Sequence, residues 1–351
     1  MVTSASDGIA NATHQSPFYY CIRQCFYAVL GVSLLFAVLT VRMAYWQRWA
    51  TLALPLALAL LLLVFVPVLG REVNGSRRWI TLGNINLQSS EVAKVLVIMY
   101  MASYLSRKQD EVRDIAWWGF VRPVLVLGCV LVLLLLEPDF GSSVVLFSAT
   151  MGMVFLAGSR LVKFFPLLLV AFAGAVLLVW MAPYRLRRLA TYTDPWADQF
   201  GDGYQLTQAL IAFGRGGWFG EGLGKSIQKL FFLPEAHTDF IFAVIAEEFG
   251  LVGTLAIVAA LFFIPFRALR IGYLAECTGR FFSAYLAYGI ACLWACQLFI
   301  NMGVNCGLLP TKGIALPLFS YGGSSLIISC FSIGLLLRID FERRLSCAPG
   351  K

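Results

Sequence analysis

The chain has 351 residues, of which 60% are hydrophobic and 13% are charged, and its formal net charge at pH 7 is +8. Soluble domains usually carry about 25% charged residues, so this composition excludes an ordinary water-soluble protein and predicts a membrane protein. A net positive charge can also indicate nucleic-acid binding, and the placement of the charges along the chain decides between the two explanations.

Apolar runs follow one another along almost the whole chain. A helix needs about 20 mostly apolar residues to cross the hydrocarbon core of a membrane. Two of the runs are short or carry a charge, namely Lys94 or Arg122. We therefore predict an all-α fold, a polytopic membrane helix bundle of nine helices that forms a single domain over residues 1–351. In chain order the runs lie at 24–41, 51–70, 92–105, 116–136, 140–157, 164–183, 239–266, 281–304 and 314–337.

Lysine and arginine are unevenly distributed between the two sides of this predicted bundle. When the nine runs are threaded through a membrane, 15 of the 27 Lys and Arg residues fall in one set of alternate connections. Cytoplasmic loops carry the basic excess in membrane proteins, so this side, which includes the C-terminus, is predicted to be cytoplasmic. The long loop 184–238 then lies outside, and the net charge reflects topology and not a nucleic-acid-binding face.

The N-terminal region is not predicted to contain a complete first helix. An odd number of helices places the N-terminus outside, yet residues 1–20 contain no basic segment followed by an apolar one that could serve as a signal peptide. We therefore expect the chain to begin at the outer end of a helix whose remainder lies upstream.

Three polar or irregular segments, 71–91, 184–238 and 305–325, are predicted to meet over one cavity on the outer face. The first contains an Asn-Gly turn signal. Loops as long as the second are usually functional or disordered, and its Trp, Phe and Leu content predicts a structured loop with a helical piece near Tyr204–Phe213. The third contains two prolines and four glycines, and irregular backbone at membrane depth is tolerated where it lines a cavity.

Asp239 stands at the start of an apolar run, in the sequence HTDFIFAVIAEEF. On one interpretation it is a solvated charge at a helix N-terminus, where the helix dipole favours a carboxylate. On the other it lies at the border of an apolar wall, where loss of water raises a carboxyl pKa and suits the group to act as a general base. His237 is near enough in sequence to tune or share the proton. The local sequence leaves both interpretations open.

Other carboxylates are predicted at membrane depth. Glu247 and Glu248 lie two to three turns inside the run that begins at Asp239, and at least one of them needs a partner or a wet cavity, because lipid exposure is costly. We predict that both are structural and coupled to the site.

Glu91 and Lys94 are three residues apart and therefore share a helix face. Asp139 ends another run at the predicted outer face. Lys94 either forms a structural ion pair with Glu91 or Asp139, or lines a pocket for an anionic headgroup, and the residues do not decide between these alternatives.

Basic side chains populate the long outer loop. Snorkelling toward lipid headgroups explains at least half of them, and the others could clamp phosphate, which Arg binds bidentately and Lys as a point charge. Trp79 is either an interfacial tryptophan or shapes a sugar or lipid entrance. Two histidines and no Cys/His cluster at zinc spacing argue against a His-based metal site. The candidate phosphate-binding cations are Arg185, Arg188, Arg215 and Lys225 in the loop and Lys312 in the third segment.

Five motifs follow one another along the chain, namely GSRRWITLGNINLQSSEVAK, EPDFGSSVVL, GDGYQLTQALIAFGRG, FLPEAHTDFIFAVIAEEFGLVG and GLLPTKGIALPLFSYGGSSL. In this order they resemble the SEDS (shape, elongation, division and sporulation) family of bacterial cell-wall polymerases. The LPTKG and SYGGSS stretches look like the division-type members more than the elongation-type members. Glu137 stands where the family often has Gln, and Ser90 where it often has Pro.

The resemblance implies a ten-helix bundle, of which the first helix is truncated here, in the cytoplasmic membrane at the division septum. It implies polymerisation of lipid II into nascent glycan strands, together with a class B penicillin-binding transpeptidase and other division proteins. The essential outer-face aspartate of the family falls on Asp239, and its functionally sensitive tryptophan falls on Trp79. Asp239 would act as base and the cations, Lys94 included, would stabilise the departing pyrophosphate. A divalent ion such as Mg²⁺ or Mn²⁺ could share that task.

Two other functions fit parts of the pattern. A lipid II flippase would also have broken helices and buried charges, but it needs a polar lining through to the cytoplasmic side, whereas the conspicuous motifs here gather toward the outer side. A non-catalytic scaffold that recruits the transpeptidase would still support division without Asp239. Of these three functions, we expect the chain to be a polymerase.

Overall fold

The computed structural model describes most of the chain. The described residues are 1–6, 15–16, 18–66, 70–73, 76–82, 85–114, 117–180, 192, 194–201, 203–230, 232–310 and 313–347. Within these ranges the helices are α1 Tyr19–Thr40, α2 Met43–Leu63, α3 Ser89–Arg107, α4 Gln109–Arg113, α5 Trp118–Leu136, α6 Phe140–Leu156, α7 Phe164–Trp180, α8 Tyr204–Gly216, α9 Ile241–Cys277, α10 Phe281–Asn305 and α11 Gly323–Cys347.

Each of the nine predicted runs contains a helix, which confirms the all-α prediction. Six helices in the described part of the chain (α1, α2, α5, α9, α10 and α11) are long and apolar enough to cross a membrane. Two shorter apolar helices correspond to α6 and α7, and α3 is the helix that contains Glu91 and Lys94. Apolar surface on this scale requires a lipid environment, so the protein is a multi-pass membrane protein.

The last predicted run, 314–337, begins too early. Its helix starts at Gly323, and the preceding residues 313–322 have no regular secondary structure. Pro317 lacks a backbone N–H group, and Leu318 has a φ of 67°, which a right-handed helix cannot contain. Apolar residues here, such as Ile314 and Leu316, are buried without forming a span.

A small antiparallel sheet occupies the first outer segment, where only a turn signal was predicted. Its strands are β1 Gly70–Val73, β2 Ser76–Leu82 and β3 Ile85–Gln88, in the order β1-β2-β3. Val73 pairs with Ser76, so the predicted Asn-Gly pair falls between the two strands, outside the described residues. On the other side of β2, Trp79 pairs with Gln88.

Contacts divide the chain into two units. The first contains 1–26, 164–262 and 297–322, and the second contains 27–163, 263–296 and 323–351. The first unit is held by a cluster of buried residues from α8, from the first turns of α9 and from the end of α10, including Ala209, Val244 and Leu298. In the second unit α3 has a buried face that includes Ile98, Met101 and Leu105. The single-domain prediction stays a prediction.

Helix α9 is broken at Gly250, which has φ 66° and ψ −169°. This backbone region is essentially restricted to glycine. Four backbone hydrogen bonds to the loop 217–222 replace those that the break removes. Two carbonyls at the end of the first segment accept from loop N–H groups, and two N–H groups at the start of the second donate to loop carbonyls. The pairs are Glu221 N–Glu247 O (3.0 Å), Gly222 N–Glu248 O (3.0 Å), Leu251 N–Gly217 O (2.9 Å) and Val252 N–Trp218 O (3.1 Å).

The break and the loop approach each other so closely that both sides require glycine. A Cβ atom added to Gly250 would overlap the backbone of Phe219 and Gly220. A Cβ atom added to Gly220 would overlap the carbonyl of Glu248. The helix segment 241–249, which begins two residues after Asp239, is therefore joined at its far end to the loop 217–222.

Candidate active site

Asp239 lies in the first unit, two residues before α9 begins, and its backbone is firmly held. Its carbonyl accepts hydrogen bonds from the Nδ2 atoms of Asn301 (3.0 Å) and Asn305 (3.1 Å). These residues are one helical turn apart on α10 and therefore project from the same face. They are 2% and 0% exposed. Neither was predicted as a site residue.

The two residues before Asp239 are held in the same way. The carbonyl of Thr238 accepts from the Ser320 hydroxyl at 2.5 Å, and the carbonyl of His237 accepts from the Tyr321 N–H at 2.9 Å. Three consecutive carbonyls are thus bonded to α10 and to the segment 313–322. Such fixation preorganises the side chain that the backbone presents.

The Asp239 carboxyl group is half-buried and lies directly against Gly313. A Cβ atom at Gly313 would overlap Asp239 Oδ2, so only glycine leaves room for the carboxylate at that position. The predicted cation Lys312 precedes this glycine in the sequence and lies outside the described residues, as do Arg185 and Arg188.

His237 lies among aromatic rings. Its ring centroid is 5.0 Å from that of Tyr20 and 5.8 Å from that of Tyr321, and the two tyrosine rings are 4.9 Å apart. Burial lowers the pKa of His237, and the nearby Glu235 carboxylate opposes this shift. The imidazole is therefore neutral at pH 7, which suits a hydrogen-bonding role better than a charged one.

Glu247 is fully buried at the end of the first segment of α9 and is surrounded by donors. Its carboxylate accepts from the Ser226 hydroxyl (2.5 Å), from Ile227 N (3.1 Å) and from Gln228 N (3.3 Å). Arg215 Nε lies 3.4 Å from Oε1. Arg215, predicted to bind substrate, is thus also an ion-pair partner of a buried structural glutamate, and its side chain is 36% exposed.

Glu248 pairs with Lys229 at 3.0 Å. The Ser4 hydroxyl donates to the same carboxylate oxygen at 2.5 Å, and Lys229 Nζ donates to Ser4 Oγ at 2.8 Å. The structural role predicted for both glutamates, and their coupling to the site, stay predictions. Lys225, another predicted cation, is exposed on this loop.

The second unit contains the remaining predicted residues. Lys94 Nζ donates to Glu91 Oε1 at 2.7 Å, and Lys94 is only 1% exposed, so the Glu91 ion pair is the predicted structural alternative that is observed. Trp79 is half-buried on β2. A role of Lys94 or Trp79 toward substrate stays a prediction.

Asp139 belongs to a second buried polar cluster in this unit. Asp139 Oδ1 accepts from Ser142 N at 3.2 Å, as a helix N-cap does, and lies 3.8 Å from Arg78 Nη1. The Arg78 guanidinium also donates to the carbonyls of Glu137 and Pro138.

Glu137 adds a fully buried carboxyl group to this cluster. Its Oε2 accepts from the Ser89 hydroxyl at 3.1 Å, and Oε1 has no hydrogen-bond partner among the described residues. Burial raises the pKa of Glu137 to about 8, and the negative charge of Asp139 adds to the effect. Glu137 is therefore largely protonated at neutral pH.

The sequence predicted no metal-ligating residue and kept a divalent cation only as a candidate helper of the basic side chains. Within the described ranges no group of three or more His, Cys, Asp or Glu side chains is arranged to hold a metal ion.

Comparisons with known proteins agree on one family. The family model for cell cycle proteins of the FtsW, RodA and SpoVE type matches residues 1–345. A probable peptidoglycan glycosyltransferase FtsW from Hahella chejuensis is 54% identical over 342 residues, which cover 97% of this chain and 86% of the relative. The corresponding protein from Pseudomonas fluorescens is 52% identical over 344 residues, covering 98% and 84%.

Solved structures agree with these relatives. A chain from a peptidoglycan synthase complex, described as coordinating polymerization and crosslinking, matches with a TM-score of 0.78 at 29% identity, covering 97% of this chain and 95% of that chain. The rod shape determining protein RodA of Thermus thermophilus matches with a TM-score of 0.66 at 27% identity, covering 97% and 94%.

Proposed function

Since this chain belongs to the FtsW/RodA/SpoVE family of cell cycle proteins and is a peptidoglycan glycosyltransferase, we propose that it polymerises lipid II with Asp239 as the general base. The observation that supports this role is the fixation of three consecutive carbonyls at 237–239 by α10 and the segment 313–322. A carboxylate on so constrained a backbone can hold one orientation toward a hydroxyl group, and orientation supplies a large part of catalysis.

The proposed reaction is a single inverting displacement. Asp239 accepts the proton of the GlcNAc 4-hydroxyl of lipid II while that oxygen attacks C1 of the donor sugar. The bond from C1 to the phosphate oxygen breaks, and its electron pair leaves with undecaprenyl pyrophosphate. Because pyrophosphate is a good leaving group, no acid has to protonate it. General-base assistance of this kind contributes roughly 10²–10⁴-fold to the rate.

Cations are needed to stabilise the charge that develops on the departing pyrophosphate. The proposed clamp consists of Arg185, Arg188, Arg215, Lys225 and Lys312, with Lys94 as a further candidate. Arg215 keeps a partly exposed guanidinium beside Glu247, so it can contact a phosphate while its ion pair holds it in place. Lys225 is exposed and free to reorient toward a headgroup.

The proposed setting is the outer face of the cytoplasmic membrane at the division septum, with the C-terminus in the cytoplasm. The proposed partners are a class B penicillin-binding transpeptidase and other division proteins. The similarity to a chain from a complex that coordinates polymerization and crosslinking supports the transpeptidase.

The test is glycan-chain formation from purified lipid II by the protein in complex with its transpeptidase. We expect Asp239→Asn to reduce the rate by at least about 10²-fold, because the amide cannot take the hydroxyl proton. Asp194→Asn is the matched control, since Asp194 is an exposed aspartate in the loop 184–238 that precedes Asp239. Polymerisation by Asp239→Asn at the wild-type rate would refute the assignment.

A further inference from the structure

The three rings of Tyr20, His237 and Tyr321 form one cluster that the proposed mechanism does not use. They come from three separate parts of the first unit: the start of α1, the segment before α9 and the segment before α11. The centroid distances of 4.9–5.8 Å and the interplanar angles of 39–79° place the rings in mutual contact without parallel stacking. We call this group the aromatic cluster.

The aromatic cluster lies at the border of the core and not inside it. Each of its three residues is half-buried. In contrast, Phe240 and Phe242, which follow directly in the chain, are 4% and 3% exposed and belong to the core of the unit. Part of the aromatic surface therefore remains open beside the segment that contains Asp239.

The backbone that presents the cluster is the same backbone that fixes the proposed base. Tyr321 N donates to the carbonyl of His237, and Ser320, its neighbour, donates to the carbonyl of Thr238. The Gln24 side chain, one turn after Tyr20 on α1, donates to the carbonyl of Ser320 at 3.4 Å. The three rings and the Asp239 backbone are therefore ordered by one set of hydrogen bonds.

The aromatic cluster also contains a polar atom, His237 Nδ1, that is available for a hydrogen bond. His237 Nδ1 is buried and has no hydrogen-bond partner within the described residues. A neutral imidazole can donate from one ring nitrogen and accept at the other. Buried polar atoms are nearly always satisfied in the functional state, so such an atom beside an open aromatic face indicates a ligand with both apolar and hydrogen-bonding surface.

A hexopyranose ring has this composition. One face of a β-linked glucosamine ring displays axial C–H groups, while hydroxyl and acetamido groups project from its edge. Binding sites for such ligands combine aromatic surface with a few well-placed polar groups. The group that takes a proton from a sugar hydroxyl must touch the sugar that bears it, so the surface next to the base belongs to the acceptor.

We propose that Tyr20, His237 and Tyr321 form the subsite for the acceptor sugar, with the ring faces packing on the GlcNAc of the incoming lipid II and His237 hydrogen-bonding its polar edge. This inference rests on the proposed function, because it takes Asp239 as the base that defines the acceptor position. It assigns substrate contacts to two tyrosines and specifies which of the two sugars His237 meets.

The experiment separates acceptor binding from turnover. The donor is lipid II blocked at its GlcNAc 4-hydroxyl, which cannot accept, held at constant concentration. The varied acceptor is a C-phosphonate analogue of lipid II, which has a free 4-hydroxyl but no phosphate leaving group at C1 and therefore cannot donate. We expect Tyr321→Leu and Tyr20→Leu each to raise the KM for the acceptor by roughly three- to tenfold, the usual worth of an aromatic contact, with a much smaller change in kcat. Tyr321→Phe should retain more acceptor affinity than Tyr321→Leu, because it keeps the ring.

Tyr273→Leu is the matched control, since Tyr273 is 62% exposed on α9 in the other unit. Two variants on different elements guard against a folding defect at one position, and each is first checked for an unchanged melting temperature. An unchanged acceptor KM in both leucine variants, equal effects of Tyr321→Phe and Tyr321→Leu, or a loss confined to kcat would overturn the proposal.

Different outcomes would contradict the acceptor subsite and the assignment of Asp239 as the base. Binding of unblocked lipid II is measured in the Asp239→Asn background, where turnover does not interfere, with the donor position saturated by blocked lipid II. If Asp239→Asn polymerises normally, the assignment of the base is wrong whatever the tyrosine variants do. If Asp239→Asn is inactive but binds lipid II equally well with and without Tyr321→Leu, only the acceptor subsite is wrong.

Discussion

Substitution of Glu247 by glutamine tests how the outer loop is held on the broken helix. The change keeps the size of the side chain and one carbonyl oxygen, so it creates no cavity. It replaces the other acceptor oxygen by an NH₂ group. The Glu247 carboxylate accepts hydrogen bonds from the Ser226 hydroxyl and from two backbone N–H groups. In the glutamine variant at least one of these buried donors faces the new NH₂ group, which is itself a donor.

The expected cost follows from these contacts. A buried donor that loses its acceptor costs about 1–3 kcal/mol, and hydrogen bonds to a charged acceptor contribute at the upper end. We therefore expect Glu247→Gln to destabilise the protein by about 3 kcal/mol. Arg215→Gln should cost far less, about 0–1 kcal/mol, because an ion pair to a partly exposed guanidinium is weak and Glu247 keeps its three other donors.

Thermal unfolding of the purified protein in detergent micelles measures both variants. Glu221→Gln is the matched control, since Glu221 is an exposed glutamate in the same loop whose backbone, not side chain, contacts the helix. The expected order of destabilisation is Glu247→Gln well above Arg215→Gln, with Glu221→Gln close to wild type. Equal losses for Glu247→Gln and Arg215→Gln would show that the ion pair holds the loop, and the hydrogen-bond explanation would be wrong.

Two further predictions follow from the described geometry. Gly250→Ala should destabilise the protein by at least about 3 kcal/mol, because the backbone conformation is restricted to glycine and the added Cβ meets the loop. Thermal unfolding measures this loss. The control is Gly128→Ala, which has open space around it and should leave stability unchanged or raise it by up to about 1 kcal/mol. Glu137, whose pKa is raised from the usual 4.5 to about 8, holds a proton in the folded state that the unfolded chain releases, so its contribution to stability falls as pH rises from about 4.5 to about 8 and is constant above that. Glu137→Gln should flatten the pH dependence of the melting temperature between pH 6 and 8, and an unchanged slope would contradict the protonated state.

The helices could be predicted because the membrane makes one rule dominant. Backbone groups in lipid must bond within the segment, so apolar runs of sufficient length become helices, and all nine runs did. The same rule misplaced the start of α11, because residues 314–322 are apolar and yet irregular. Hydropathy records burial, but it does not distinguish a helix from an irregular segment that is buried against protein.

Features that depend on contacts distant in sequence could not be predicted. Gly250 is a single glycine in an apolar run, and single glycines are tolerated in helices; the break exists because the loop 217–222 supplies replacement hydrogen bonds. The sheet 70–88 is built from short strands whose alternation is too brief to stand out.

The candidate site was predicted in part. Asp239 stood out because a carboxylate at the mouth of an apolar run is costly. Asn301 and Asn305 were missed, although two amides spaced one turn apart in an apolar helix are a recognisable signal for polar residues on one buried face. Tyr20 was missed because an aromatic residue near a membrane interface has an ordinary explanation.

Burial of Glu247 and Glu248 is costly, and the hydrogen bonds that both residues form at the helix break offset this cost. Both lie at the end of the nine-residue segment 241–249, where the helix breaks and its carbonyls lose their normal partners. Their side chains bind the loop through donors such as Ser226 and Lys229, while their carbonyls bind the same loop through N–H groups. The segment is thus fixed at its far end by the loop and at its near end by the asparagines of α10, and Asp239 stands directly before it. A continuous helix without the break would have no unpaired carbonyls to offer the loop 217–222, so the break itself allows one short segment to join this loop to the proposed base.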